Sequence, residues 1–344
     1  MKKMKADTLL MKEINKNNVR KQIKLMGKAT KPELADKTGL SVVTVNSLLE
    51  ELVKNGEIKK GENIPSNGGR PSLQYIFNED YRYAVIIYGH QKKDQNLIRL
   101  LVINLLGQCV ERKEKYFAKV EVNSFDSWLS EIFEKYGKKA GLIAFGLPGE
   151  EVDGMITIND YPDIVGREFM EHYRNTYGVP VIFENDINVA VIGYYSYGIS
   201  READHMVGIY FPRIYDPGAG IIINGEIYRG VHNFAGELSG IPVAYSWKEL
   251  DYANVYQVIK SIGQLLVICS CVLAPDFFVL YGDFWTEEIK SGLKEAVENS
   301  LQGQYEAKLV FSDDLEKDFE QGMIKLALDE LEKQIRKEGE ERCF

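Results

Sequence analysis

The sequence divides into two segments of opposite charge, and this division constrains the fold more than any other feature. Residues 1–75 carry 15 lysine and arginine residues against 8 aspartate and glutamate residues, whereas the rest of the chain carries 27 against 43. A small basic segment joined to a large acidic one indicates two domains, of which only the first is suited to a polyanion. Solvated lysine-rich helices would give the same charge. The choice between the two explanations therefore depends on the sequence pattern inside the segment.

The composition excludes several classes of protein. Hydrophobic residues make up 45% and charged residues 27% of the 344 residues, which is typical of a globular chain and excludes wholesale disorder. The longest apolar run, near residues 265–273, is interrupted by Ser270 and followed by Pro275, and the N-terminus lacks the apolar core of a secretory signal. Four scattered cysteines do not form a disulfide framework, and we expect buried thiols at Cys269 and Cys271. We therefore expect a cytoplasmic protein without membrane contact, metal or cofactor.

The basic segment contains the pattern of two short helices joined by a tight turn. A helical pattern covers residues 18–27, and Thr30 with Glu33 forms a predicted capping box that begins a helix ending at Gly39. Ser41 then caps a further helix. The predicted buried stripe of that helix consists of Val42, Val45, Leu49 and Leu52. Two helices around a glycine turn indicate a helix-turn-helix unit.

The residues left outside that stripe predict a DNA-reading surface. They lie near the start of the second helix, where a recognition helix meets base edges in the major groove. The expected DNA-binding residues are Ser41, Val43, Thr44, Asn46, Ser47 and Arg70. Arg70 lies in a polar Gly/Pro loop between predicted strands at 57–60 and 73–77, which resembles the wing of a winged helix. The alternative is a helical protein-interaction module with an ordinary loop, but the order of the elements favours double-stranded DNA as the partner of residues 1–78.

The acidic segment alternates apolar runs with helical patterns, which is typical of an α/β domain with mixed sheets. The predicted strands are 83–88, 98–105, 141–147, 179–183, 206–211 and 220–223, and the predicted helices are 124–136, 166–177, 187–197 and 252–273. We expect residues 79–344 to form two lobes, at about 82–185 and 186–344.

Four residues of the acidic segment are candidate ligand contacts. Gly149 closes a Gly-Leu-Pro-Gly turn after a strand, and Asn185 and Asp186 follow another strand at the start of a helix. In open α/β sheets, ligands bind at the carboxyl ends of strands. Glu237 lies on a short turn. Each residue also has a purely structural explanation. The glycine turn can serve only to reverse the chain, Asp186 can cap its helix, and an acidic residue on the surface is usually only solvated.

Taken in order, these motifs resemble the ROK family of sugar kinases and sugar-responsive repressors. The similar segments are residues 35–45, 68–71, 146–149, 153–154, 180–188, 218–225, 229–237 and 273–280. The resemblance implies a winged helix-turn-helix head, mostly helical, followed by an actin-like ATPase fold of two lobes. Within the family, the sequence most resembles the branch of transcriptional regulators that respond to xylose and N-acetylglucosamine.

The sequence departs from the family where kinase chemistry would be expected. The first phosphate loop of the family kinases corresponds to Ile87–Gln91, which lacks its carboxylate and hydroxyl, and the second corresponds to Arg213–Pro217. The zinc loop with its upstream histidine has no counterpart. Phosphoryl transfer depends on holding the phosphates and Mg²⁺. The resemblance therefore implies that Asp186, which matches the catalytic base, binds a hydroxyl group, and that the protein is not an enzyme.

The sequence thus predicts a transcriptional regulator, in the first place a repressor of carbohydrate metabolism. Its degenerate kinase domain is expected to bind a sugar or sugar phosphate through Gly149, Asn185, Asp186 and Glu237. A short operator half-site implies two-fold repetition and a homodimer or higher homo-oligomer. The alternatives are a divergent sugar kinase with a DNA-binding head, and a dimerisation and docking module that binds no small molecule.

Overall fold

The computed structural model describes residues 2–66, 69–92, 95–159, 161–198, 203–213, 215–306 and 308–341. The first part of the chain forms three helices and a three-stranded antiparallel sheet of order β1-β3-β2. The helices are α1 (Lys2–Met26), α2 (Lys31–Thr38) and α3 (Val42–Asn55), and the strands are β1 (Lys28–Thr30), β2 (Ile58–Ser66) and β3 (Gly69–Phe77). We call residues 2–77 the head.

Local capping sets the helix ends of the head as expected. Thr30 caps α2 and its backbone N–H donates to Glu33 at 2.7 Å, so the capping box is confirmed. This hydrogen bond lowers the pKa of Glu33. Gly39 and Gly56 follow α2 and α3 in the left-handed conformation that favours glycine. Ser41 accepts from the backbone of Thr44 and so caps α3, also as predicted.

Two expectations for the head were wrong. Val42 is 47% exposed, and Leu48 takes its place in the buried stripe with Val45, Leu49 and Leu52. The helix predicted from residue 18 begins at Lys2. Its middle is held by polar pairs, since the buried Lys16 ammonium lies 2.5 Å from Glu13 and 3.6 Å from Glu51 of α3.

The first lobe is built on a five-stranded sheet of order β10-β7-β4-β5-β6. Its strands are β4 (Tyr83–Lys92), β5 (Gln95–Ile103), β6 (Cys109–Phe117), β7 (Ala140–Gly146) and β10 (Val181–Glu184). The first three form an antiparallel meander, and β7 and β10 run parallel to β4. Helices α4 (Asp126–Tyr136) and α5 (Glu168–Tyr177) cover one face, and the hairpin β8 (Gly149–Val152) and β9 (Met155–Asn159) extends from β7.

The second lobe repeats this plan. Its sheet has the order β13-β12-β11-β14-β15, with an antiparallel β11-β12-β13 meander and with β14 and β15 parallel to β11. The strands are β11 (Met206–Tyr210), β12 (Gly218–Ile223), β13 (Glu226–Ile227), β14 (Phe277–Tyr281) and β15 (Lys308–Ser312). Helices α7 (Val255–Leu273) and α8 (Glu287–Leu301) cover one face. Both lobes therefore have the same strand order and directions.

Two helices cross between the lobes. Helix α6 (Asp186–Tyr197) follows the first sheet but packs on the second, and α9 (Leu315–Glu341) follows the second sheet but packs on the first. At the crossing, a Cβ atom on Gly193 would lie 1.9 Å from the carbonyl oxygen of Asp318, and one on Gly322 would lie 1.9 Å from that of Val189. The helices therefore meet backbone to backbone. The sequence prediction assigned all residues after 185 to the second lobe, whereas α9 packs on the sheet of the first lobe.

Further expectations can be compared with the described residues. The predicted helices within residues 124–197 correspond to α4, α5 and α6, whereas β6, β8, β9, α8 and α9 were not predicted. Cys269 is buried as expected, but Cys271 is exposed. Of the described helices, α7 is long and apolar enough to cross a membrane by length and composition, and its inner face packs in the core of the second lobe.

Candidate functional site

A cavity of about 520 Å³ lies between the two lobes. The first lobe contributes the β8–β9 hairpin and the junction of β10 with α6, and the second contributes β12 and the turn that follows β13. Three of the four predicted ligand residues line it, namely Gly149, Asn185 and Glu237. The topology thus brings together residues that are far apart in the sequence, at the carboxyl ends of β7 and β10 where such sheets bind ligands.

Asn185 organises the wall of the first lobe. Its side-chain oxygen accepts from the backbone N–H groups of Ile187 and Asn188, at 2.9 and 3.2 Å, and so caps α6. Its amide nitrogen donates to the carbonyl of Gly149 at 3.2 Å, which ties the Gly-Leu-Pro-Gly turn to the helix. A primary amide has two N–H donors. One donor therefore remains for a ligand after the contacts made within the described residues.

Asp186 lies elsewhere. It is the first residue of α6, its carboxylate accepts from the backbone N–H of Ile187 at 3.0 Å, and it is not among the residues that line the cavity in the described part of the chain. Burial, and then the Asp186 charge, raise the pKa of Tyr210 on β11. That Asp186 contacts the ligand stays a prediction. The alternative that it caps the helix was wrong, since Asn185 is the cap.

Two carboxyl groups face each other across the cavity. Glu150 of β8 is hydrogen-bonded to Glu237 of the second lobe. Burial, together with the Glu237 charge and this hydrogen bond, raises the pKa of Glu150 to about 7. Sequence reasoning missed Glu150, although it directly follows Gly149.

Polar contacts join the lobes around the cavity. The Arg229 guanidinium, after β13, lies 2.5 Å from the Glu184 carboxylate of β10, and Glu184 also accepts from the side chain of Asn188 at 3.1 Å. The side-chain amide of Asn233 donates to the carbonyl of Glu151 at 2.5 Å. Sequence reasoning did not predict these contacts, because a contact between lobes leaves no local pattern.

The turn that carries Glu237 has an uncommon backbone. His232 and Asn233 are both in the left-handed region, with φ of 54° and 58°. Gly236 has a φ of 102°, and a Cβ atom there would lie 1.9 Å from the carbonyl oxygen of Ala219. Backbone of this kind persists only where its surroundings impose it, and it is common at ligand sites.

The start of α3 is the candidate nucleic-acid surface. Val43 is 80% exposed, Ser47 is exposed, and the Ser41 and Thr44 hydroxyl groups lie 2.8 Å apart at the cap. Asn46 donates to Glu50 one turn along the helix at 3.0 Å, so reading a base would require it to exchange this partner. Arg70 lies in β3, whereas residues 67 and 68 of the predicted wing lie outside the described residues.

A model of the ROK family matches residues 96–271, just over half of the chain. The chain belongs to the ROK family. The xylose repressor of Bacillus subtilis is 25% identical over 260 residues, which cover 72% of this chain and 65% of that repressor. The chain thus matches slightly less than two thirds of the length of that relative.

Solved structures of ROK proteins share the fold. A ROK family transcriptional regulator, a homologue of the Escherichia coli MLC protein, superposes with a TM-score of 0.65 at 17% identity, covering 92% of this chain and 96% of its own. A ROK hexokinase from Thermus thermophilus gives 0.56 at 17% identity and covers 72% of this chain and 99% of its own. The ROK actin-like fold is therefore shown.

In this ROK protein, the segment that resembles the first phosphate loop belongs to a network with α9. The buried Tyr88 hydroxyl donates to Glu320, and burial, followed by that carboxylate, raises its pKa. Arg112 pairs with the same carboxylate at 2.5 Å, and Arg99 lies 3.0 Å from Glu316. Side chains of the protein itself therefore fill this region.

Aromatic side chains pack around Gly282, directly after β14. A Cβ atom on Gly282 would lie 2.8 Å from the Phe284 ring and 3.2 Å from that of Trp285. The Phe284 ring is 4.3 Å from Trp285 and 4.6 Å from Tyr252, centre to centre. Of the neighbouring loop Arg213–Pro217, residue 214 lies outside the described residues.

Proposed function

We propose that this protein is a sequence-specific transcriptional repressor of carbohydrate metabolism, located in the cytoplasm. Residues 1–78 act as a winged helix-turn-helix that binds double-stranded DNA, and residues 79–344 act as the effector-sensing and dimerising domain. The observation that carries the proposal is that a basic head with a polar, exposed helix start and a cavity between two lobes occur in one ROK chain. The name of the Bacillus subtilis relative supports both the repression and the sugar effector.

The cavity suits a monosaccharide. Its volume of about 520 Å³ lies within the usual range for small-ligand sites. Sugars present many hydroxyl groups, which are both donors and acceptors. The remaining Asn185 donor, the Glu150 and Glu237 carboxyl groups and the backbone of the Gly149 turn supply complementary partners. Binding there would join residues of both lobes and so favour a closed arrangement.

The effector domain is proposed to be a pseudokinase. Transfer of a phosphoryl group requires cations and backbone donors that hold the phosphates. Both segments that correspond to the phosphate loops depart from the family sequence, and beside the first of them the cations Arg99 and Arg112 are already paired with Glu316 and Glu320. Turnover of ATP with any member of a hexose panel would overturn this part of the proposal.

Genome-wide footprinting of the full-length protein tests the regulatory role, because neighbouring transport and catabolic genes would name the sugar. We expect footprints of two half-sites about 10 base pairs apart, or a multiple of that, together with a dimer by light scattering. Binding should weaken steeply with salt as lysine and arginine side chains release counterions. Failure to retard any fragment from these regions at low salt would contradict the repressor proposal.

A further inference from the structure

The charge of the cavity narrows the class of effector. Among the described residues that line it are five acids, Glu150, Glu151, Asp153, Glu184 and Glu237, against one arginine and one histidine, Arg229 and His232. The arginine is already paired with Glu184 at 2.5 Å. A phosphate or carboxylate group on the effector would therefore enter surroundings of its own sign, whereas a cationic group would be attracted.

Two of these acids are placed to bind such a cation. Glu184 has its arginine, and Glu151 accepts the backbone N–H of Gly154. Glu150 and Glu237 instead contact each other, one from each lobe. Two carboxyl groups in hydrogen-bond contact hold a proton between them, because two adjacent negative charges repel. A group that brings a positive charge and N–H donors can take the place of that proton.

Resting on the proposed sensor function, we infer that the effector is an amino sugar whose ammonium group binds between Glu150 and Glu237. An ammonium group has three donors and forms charge-assisted hydrogen bonds to both carboxylates. The ring hydroxyl groups then face the Asn185 amide and the Gly149 turn. A neutral sugar would leave the proton in place and bring no charge to the pair, and a sugar phosphate would be repelled.

This binding mode has a pH signature. Since the ammonium replaces the shared proton, binding releases that proton, and the affinity rises as the pH increases from 5 to 7, a range in which the amine of the ligand stays protonated. The other charged groups around the pair are Glu151, Asp153, the Glu184–Arg229 pair and His232. The variant His232→Gln removes the imidazole and so isolates the contribution of the carboxyl pair.

Isothermal titration calorimetry of the full-length protein provides the test. The probes are glucosamine, galactosamine and mannosamine, their parent hexoses and the corresponding 6-phosphates, each at pH 5 and pH 7. We expect one amine to bind at least about tenfold more tightly than its parent sugar at pH 7, the scale of one charge-assisted hydrogen bond. The difference should shrink at pH 5, in wild type and in His232→Gln, with proton release visible in buffers of different ionisation enthalpy.

Variants identify the groups responsible. Glu150→Gln should abolish the preference for the amine, whereas Glu150→Asp should retain part of it and Glu295→Gln, a remote exposed carboxylate on α8, should retain all of it. Melting temperatures show which variants are folded. Equal affinity for amine and parent sugar, or tightest binding of a 6-phosphate, would overturn the amine inference and leave the sensor proposal standing. Absence of binding by every probe would overturn both.

Discussion

At the scale of single residues, Gly236 gives the sharpest stability test of the ligand turn. Because its φ is 102° and a Cβ atom would lie 1.9 Å from the Ala219 carbonyl oxygen, we expect Gly236→Ala to lower the free energy of unfolding by about 1–3 kcal/mol. It should also displace Glu237 and weaken sugar binding. The control is Gly240→Ala, since Gly240 has open space where the methyl group would lie. Equal urea midpoints for the two variants would contradict the strain argument.

Glu150 predicts a pH dependence of stability in the empty protein. Its pKa is raised to about 7 in the folded state from an ordinary value of 4.5. A carboxyl group with a raised pKa binds more protons in the folded than in the unfolded state. Its contribution is therefore fully present below about pH 4.5 and is lost as the pH rises through 7.

We expect the melting temperature of the wild type to fall between pH 5 and pH 8, and to fall less in Glu150→Gln. The exposed control Glu295→Gln should follow the wild type. Parallel melting curves for Glu150→Gln and the wild type would show that the Glu150–Glu237 contact is absent in solution.

Residue-level reasoning from the sequence predicted several residues that line the cavity, but not all of the polar contacts among them. Asn185 and Gly149 were accessible because a strand end and a glycine turn are local signals. The neighbours Asn185 and Asp186 were not distinguishable, since either side chain can cap a helix and only the helix start decides which one faces the cavity. The contacts Glu150–Glu237 and Glu184–Arg229 were not predicted, because the partners lie on different segments of the chain.

At the scale of elements, α3 carries the DNA prediction. If Asn46 reads a base edge, Asn46→Ala should reduce discrimination between operator variants by about 1–3 kcal/mol. The matched control is Asn55→Ala, which removes the same side chain at the other end of α3. Affinities for a library of single-base operator variants provide the measurement. A uniform loss of affinity across the library would instead assign Asn46 to backbone contact.

The crossing of α6 and α9 gives a second prediction for elements. Gly322→Ala gains helix propensity of about 1 kcal/mol, but its methyl group would lie 1.9 Å from the carbonyl oxygen of Val189. We expect a net destabilisation of about 1–3 kcal/mol, the usual cost of overpacking. A Cβ atom on Gly339 in the same helix meets only the ends of two flexible side chains, Glu13 at 3.3 Å and Lys16 at 3.9 Å, so Gly339→Ala should be neutral or stabilising. The free energies of unfolding of both variants, measured with denaturant, test this expectation.

Elements were predictable where apolar periodicity was strong. The runs that became β4, β7 and β11 are apolar on both faces, because helices cover both sides of each sheet. The edge strand β6 is mostly exposed and reads as polar sequence. The middle of α1 is stabilised by ion pairs, and α9 packs on the lobe that precedes it by some two hundred residues, so neither feature could be read from a local window.

At the scale of the whole molecule, the head and the body meet where α1 passes α9. The Lys24 ammonium of α1 lies 2.5 Å from the Glu332 carboxylate of α9. Exposed pairs contribute about 0–1 kcal/mol to stability. We therefore expect Lys24→Glu and Glu332→Lys to change the melting temperature little, but to increase hydrogen exchange in the segment 78–82 that joins head and body.

The charge-swapped double variant should restore protection of that segment. The control is Lys325→Glu, which breaks the Lys325–Asp329 pair within α9 and should not affect it. If neither single variant changes exchange in the segment, the ion pair does not hold the head in place.

The backbone contact at Gly193 and Gly322 also fixes the point about which α9 can rotate, and this point lies inside the protein. With a rise of about 1.5 Å per residue, the arm from Gly322 to Glu332 is about 15 Å long, so a rotation of about 10° at the crossing displaces its end by about 3 Å. Glycines at the crossing leave no side chains between the helices to take up that rotation. A small change of angle between the lobes is therefore transmitted along the arm to the end that holds the head.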